Sequence, residues 1–235
     1  MITIDPESFR IPVMENEGTS GLLYRAHKHA RKAATIILGH GAGANQSSSF
    51  MRLISMGLAA RGVDVVTFNF LYMENGRRAP DPKVRLELCY RSVIASVLTN
   101  NKLAKNRLFI GGKSMGGRIA SQVAAWSAEA DSELAAKLTG LVFLGYPLHP
   151  PGNPLKLRTE HLPKIQLPML FVQGTRDTLG AVEEIRAVVK QLRLPAEIFA
   201  IEGGDHSLKV TKKTNIQQEV YDRILDTIVR WCSER

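Results

Sequence analysis

The chain has 235 residues, enough to bury one sizeable core, and its 44% hydrophobic and 23% charged residues exclude an intrinsically disordered chain. Its 31 Lys and Arg against 22 Asp and Glu leave a net charge of +9, which attracts anions but decides no fold. The basic residues are scattered, and the two densest clusters (Lys28, Arg31, Lys32 and Lys209, Lys212, Lys213) lack the interleaved aromatics of a nucleic-acid module, so the charge reads as solvated surface and no nucleic-acid partner is expected.

Met1 to Glu7 has an acidic start and no apolar core of signal-peptide length. No later run approaches the about 18 apolar residues of a membrane span, so the expectation is a cytoplasmic protein without membrane insertion. Phe9–Val13 and Leu22–Arg25, separated by Glu15-Asn16-Glu17-Gly18, predict a hairpin. Thr35–Leu38 is a buried strand ending at His40-Gly41-Ala42-Gly43, and helical spacing from Phe50 to Ala60 stops at Gly62. Val63–Phe70 is the next strand, and a loop carrying Arg77 and Arg78 leads to a helix over Lys83–Leu98. Strand Arg107–Ile110 enters Gly111-Gly112-Lys113-Ser114, a helix follows, and Gly140–Leu144 is another strand. Residues 145–167, rich in proline, form the one irregular segment long enough to act as a lid, and it is too short for a cap domain. Pro168–Val172 returns to the sheet, Ala181–Leu192 is a helix and Ala196–Ile201 is the last strand. In the closing helix Val220, Ile224 and Ile228 recur every four residues. Cys89 and Cys232 fall in apolar helical stretches, which argues for free thiols in a reducing compartment. About eight strands and six helices in alternation predict one α/β domain over 1–235, a mostly parallel sheet flanked by helices. Such sheets place their chemistry in the loops beyond the carboxyl ends of the strands.

Gly112-Lys113-Ser114-Met115-Gly116 matches Gly-x-Ser-x-Gly between an apolar strand and a helical pattern, the context a nucleophile elbow requires. A side chain at either flank would meet neighbouring backbone, so both flanks are glycine. The helix that follows points its positive end at the serine. A serine needs a base. Of six histidines only His206, in Gly203-Gly204-Asp205-His206 after the last strand, leaves room for a strand-end acid between itself and Ser114. Leu170-Phe171-Val172-Gln173-Gly174-Thr175-Arg176-Asp177 supplies that acid, and Asp177 is favoured over Asp205 and Glu202. An oxyanion hole needs two N–H donors, expected from the amides of Met115 and Ala42. His40 is expected to brace its loop by hydrogen bonding. Lys113 is expected to project into solvent or pair with a carboxylate; the functional alternative adds its charge to the field at the oxyanion. With neither Cys-x-x-Cys nor His-Glu-x-x-His present, no metal and no cofactor are expected.

His40-Gly41, Gly112-Lys113-Ser114-Met115-Gly116-Gly117-Arg118, Gly174-Thr175-Arg176-Asp177 and Gly204-Asp205-His206-Ser207 together resemble the α/β-hydrolase superfamily over nearly the whole chain. With Gly145-Tyr146-Pro147-Leu148-His149-Pro150-Pro151-Gly152, the elbow resembles a group of small, cap-less hydrolase-like proteins. That group is related to dienelactone hydrolases and has eukaryotic relatives that include a testis-expressed protein and a chromatin-complex subunit. The resemblance implies an eight-stranded, mostly parallel sheet and supplies no substrate. Dienelactone hydrolases proper carry a cysteine nucleophile, where this chain has Ser114. The residues point to hydrolysis of an ester or thioester of a small acyl substrate. The competing reading is a hydrolase-like scaffold that binds protein or nucleic acid through its basic face. Leu71, Tyr72, Tyr146, His149, Arg158 and His161 are the expected substrate contacts, in a shallow site that prefers short acyl groups and, through its arginines, anions.

Overall fold

The opening hairpin is β1 (Glu7–Met14) and β2 (Glu17–Tyr24), antiparallel with Phe9 opposite Gly21. In the computed structural model, which describes residues 4–27, 29–210 and 213–235, strands and helices then alternate. They are β3 (Ala34–Gly39), α1 (Ser49–Ala60), β4 (Asp64–Phe68), α2 (Leu71–Glu74), α3 (Lys83–Leu98) and β5 (Arg107–Lys113). There follow α4 (Met115–Ala130), α5 (Ser132–Lys137), β6 (Leu138–Leu144), β7 (Met169–Gly174), α6 (Val182–Leu192), β8 (Ala196–Ile201) and α7 (Thr214–Ser233). Lys28 and Lys212 of the basic clusters, and Met1 to Thr3, lie outside the described residues.

The strands form one sheet in the order β1-β2-β4-β3-β5-β6-β7-β8, parallel from β4 to β8 and antiparallel at the β1–β2–β4 edge. Successive side chains of a strand point to opposite faces, and the two cores follow that period. Ile37, Ile110, Phe143 and Phe171 face α3, α4 and α6. Ile36, Phe109, Val142 and Leu170 face α1 and α7. Cys89 and Cys232 belong to opposite cores and are free, and burial pushes both thiols up to about 12.

Two short helices were not legible in the pattern. One-turn α2 forms where the chain leaves β4, because Leu71 and Tyr72 turn inward and are buried there. α5 is capped by the Asp131 side chain, which accepts the Leu134 amide at 3.0 Å. The 145–167 segment is irregular save for a 3-10 turn at Leu162–Lys164. It is held to the body: Tyr146, Leu148, Leu162 and Ile165 are buried, and His161 Nε2 lies 2.7 Å from Ser121 Oγ on α4. No described helix is long and apolar enough to cross a membrane.

Candidate active site

β3 and β5 are neighbours although β4 intervenes in sequence, so the chain diverges to either side between them, and a ligand crevice opens there beyond the strand ends. β5 runs past Ile110 to Lys113 and hands directly to Ser114, whose φ of 51° and ψ of −115° are strained for a residue with a side chain. The turn is this tight because Gly39 lies against it. A Cβ on Gly112 would come 2.2 Å from the Gly39 carbonyl oxygen, and one on Gly116 would come 2.1 Å from it. The Ser114 amide donates to Leu144 O at 3.1 Å, and α4 starts at the next residue.

The loop after β8 brings His206 over the turn. Its Nε2 lies 2.8 Å from Ser114 Oγ, and its Nδ1 lies 2.8 Å and 3.0 Å from the two carboxylate oxygens of Asp177. Asp177 is only 2% exposed, and its oxygens also accept the Leu179 amide and Gln173 Nε2, both at 2.8 Å. An acceptor-only carboxylate fixes the imidazole with the Nδ1 proton toward Asp177, leaving Nε2 free to accept from the serine. Asp205 does not compete. Its Oδ1 accepts the amides of Ser207 and Lys209 and shapes the loop that carries His206. Glu202 is exposed.

Gln173 escaped the sequence reading. It is fully buried, accepts the Tyr146 amide at 2.7 Å and donates to Gly180 O at 2.6 Å, which locks the amide group that holds Asp177. Its signal was a lone polar residue at the end of an otherwise apolar strand.

Met115 opens α4, where the first amides have no intrahelical acceptor. Ala42 lies across the crevice, and both residues line a cavity that also contains Ser114. His40 is completely buried, accepts the Phe70 amide on Nε2 at 3.1 Å and donates from Nδ1 to Gly41 O at 2.8 Å. It ties β3's exit loop to β4's. Burial lowers its pKa to about 4, so it stays neutral and keeps both bonds.

Lys113 neither projects into solvent nor pairs with a carboxylate. Its Nζ donates to the backbone carbonyl of His206, tying the strand that leads into Ser114 to the loop that carries His206. Burial lowers its pKa to about 8, against the opposing pull of Asp177 and Asp205.

Two cavities meet at Ser114. The larger, about 590 Å³, is lined by Phe50, Met51 and Leu53 of α1, Tyr221 of α7, and Leu179. The smaller, about 310 Å³, lies toward α4 and the 145–167 segment and includes Arg118, Pro147 and Arg158. Of the six expected substrate contacts, only Arg158 lines either cavity. Leu71, Tyr72 and Tyr146 are core residues with at most 1% exposure. His149 is buried against Glu184, 3.3 Å away, and His161 turns inward to Ser121. Each was expected at the catalytic edge because its loop leaves that edge, but side-chain direction within the loop took it under the surface. Phe50, Met51 and Leu53 of α1 and Tyr221 of α7, none of them among the expected contacts, line the larger cavity. Arg118 was missed, although its place four residues after Ser114 sets it on the same face of α4. Among the described residues, no group of three or more His, Cys, Asp or Glu is arranged to hold a metal ion.

Residues 32–233 match a family described as an alpha/beta hydrolase domain. The chain belongs to the alpha/beta hydrolase family. Solved structures of similar fold include an alpha-beta serine hydrolase homologue from Coxiella burnetii, 19% identical, with a TM-score of 0.71 over 98% of this chain and 99% of that one. A dienelactone hydrolase from Anabaena variabilis is 16% identical, with a TM-score of 0.72 over 97% of each chain. A serine hydrolase without lid from Xanthomonas campestris is 15% identical, with a TM-score of 0.65 over 95% of this chain and 97% of that one. Among the described residues no cap domain is inserted in the fold, and the 145–167 segment contributes Pro147 and Arg158 to the smaller cavity.

Proposed function

We propose that the protein is a serine hydrolase that cleaves an ester or thioester of a small acyl substrate through Ser114, His206 and Asp177. The observation that carries this reading is the unbroken hydrogen-bonded chain from the Asp177 carboxylate through both nitrogens of His206 to Ser114 Oγ, on a strained turn at the head of α4.

In the first half-reaction Ser114 Oγ attacks the acyl carbon while His206 Nε2 takes the hydroxyl proton. The carbonyl π electrons move onto oxygen, and the amides of Met115 and Ala42 hold the resulting oxyanion. When the tetrahedral species collapses, the bond to the leaving oxygen or sulfur breaks and the His206 imidazolium gives that atom its proton. Water then attacks the acyl-Ser114 ester, again losing its proton to His206, and the acid and free serine are released. Asp177 keeps the imidazole oriented and stabilises its charged form throughout.

Fluorophosphonate labelling with mass mapping tests the assignment. Modification of Ser114 and no other residue is expected, and the Ser114→Ala protein should remain unlabelled and fail to hydrolyse esters. An unlabelled Ser114 in folded protein would overturn the reading and favour a non-catalytic scaffold.

A further inference from the structure

Against one carboxylate, Asp81, three cationic side chains, Lys83, Arg118 and Arg158, line the smaller cavity. Arg118 reaches it from α4 and Arg158 from the 145–167 segment, and both line it together with Ser114. Among the described residues, neither guanidinium has a carboxylate within ion-pair distance or a hydrogen-bond acceptor. Arg118 Nε is buried without a partner. Burial, and then the nearby Arg158 charge, lower the pKa of Arg118, against the opposing pull of Tyr146 and the Glu87 carboxylate. Of the other charged groups of the cavity, Lys83 and Asp81 Oδ1 have partners within the chain, while Asp81 Oδ2 is buried without a hydrogen-bond partner. Lys83 Nζ lies 3.5 Å from Glu87 Oε1, and Asp81 Oδ1 accepts from Arg77 at 2.6 Å and lies 3.7 Å from Arg85 Nε. The larger cavity is lined by Phe50, Met51 and Leu53 of α1 and by Tyr221, and also by Lys113 and Lys209.

Two neighbouring guanidiniums with an orphan donor form a fork suited to a carboxylate or phosphate, whose oxygens accept paired N–H bonds. We propose that this cavity is an anion subsite, and that the substrate is an ester or thioester with a carboxylate or phosphate held by Arg118 and Arg158 and an apolar moiety in the larger cavity. The proposal rests on Ser114 being the nucleophile.

The test uses two matched ester pairs of equal chain length. One pair compares a neutral acyl chain with one ending in a carboxylate, and the other compares a neutral leaving alcohol with one carrying a phosphate. The pair that responds identifies both the anion and the side of the scissile bond that faces α4. In at least one pair the anionic member should have kcat/KM higher by about tenfold or more, since charge-assisted hydrogen bonds at a partly buried site are strong. The anionic-to-neutral ratio should fall by about tenfold in Arg118→Gln and in Arg158→Gln, and recover in part in Arg118→Lys, which restores charge without the fork. As a readout independent of turnover, inorganic phosphate should slow fluorophosphonate labelling of Ser114 in the native protein and not in the double Gln variant. Arg158 lies on an irregular segment, so its variant isolates the charge even if Arg118→Gln fails to fold. Ratios near one in both pairs, or a ratio unchanged in Arg158→Gln, would overturn the subsite while leaving the hydrolase reading intact. Absence of both Ser114 labelling and ester turnover would instead remove the reading on which the subsite rests.

Discussion

At the scale of single residues, the site is a set of hydrogen bonds each supported by another. Asp177 orients His206, and Gln173 and the Leu179 amide orient Asp177. Asp177→Asn keeps the shape and removes the anion, so turnover should fall by about 10³–10⁴ with folding preserved. Asp205→Asn should cost far less, because Asp205 only accepts loop amides. If Asp205→Asn proved the more damaging in kcat, the orienting acid would have to be reassigned. Lys113 gives a second measurement. Its pKa is lowered in the fold from 10.5 to about 8, chiefly by burial. Between these values the unfolded chain binds the proton that the folded chain has released, so stability rises with pH across that window. In Lys113→Met this rise should be missing, a difference on the order of 2 kcal/mol in denaturant unfolding between pH 8 and 10.5. The same variant should lose turnover, because the His206 carbonyl loses its donor. Unfolding curves that respond to pH identically in both proteins would show that the fold does not lower the pKa of Lys113.

At the scale of elements, the elbow depends on the approach of β3 to the start of α4, which is closed to any side chain at Gly112 or Gly116. The loops around it are held by neutral histidines. Burial lowers His40 to about 4; burial, and then the charges of Lys83, Arg118 and Lys164, do the same for His161. Both folded values lie below the unfolded value near 6.5. The stabilisation is therefore complete above pH 6.5 and is lost as pH falls toward 4, since the unfolded chain takes up protons first. His161→Gln should flatten that loss. The drop in unfolding free energy between pH 7 and 4.5 should shrink by on the order of 1–2 kcal/mol. An undiminished drop in the variant would mean that His161 titrates freely in the folded protein.

Across the whole molecule, two helices of one face, α1 and α7, both contribute apolar side chains to the larger cavity at Ser114. α1 supplies Phe50, Met51 and Leu53, and α7 supplies Tyr221 to the cavity of about 590 Å³. Each methylene buried there contributes about 0.8 kcal/mol. For neutral esters, kcat/KM should accordingly rise a few-fold per methylene from acetyl to hexanoyl and then level off. Leu53→Glu should remove the rise, since a carboxylate in that wall repels the chain. A flat series in the native protein would place the acyl group outside this cavity.

The sequence by itself determined the order of the strands and the longer helices, the α/β architecture and the candidate residues Ser114, Asp177 and His206. These are written locally: an apolar strand, a glycine break and a polar residue at the turn occupy a few consecutive positions. The glycines around Ser114 were legible for the same reason, as the strain of one turn. The tertiary structure alone decided which other side chains face the serine. Lys113 meets a carbonyl 93 residues away, and Gln173 bonds to a backbone amide 27 residues away. Tyr72 on one-turn α2, and Tyr146 and His149 on the 145–167 segment, turn into the interior, while Arg118 on α4 lines a cavity with Ser114. Local periodicity fixes the face of an element on which a side chain lies. What covers that face, and whether a polar group there finds a partner, follows only from how distant elements pack against one another.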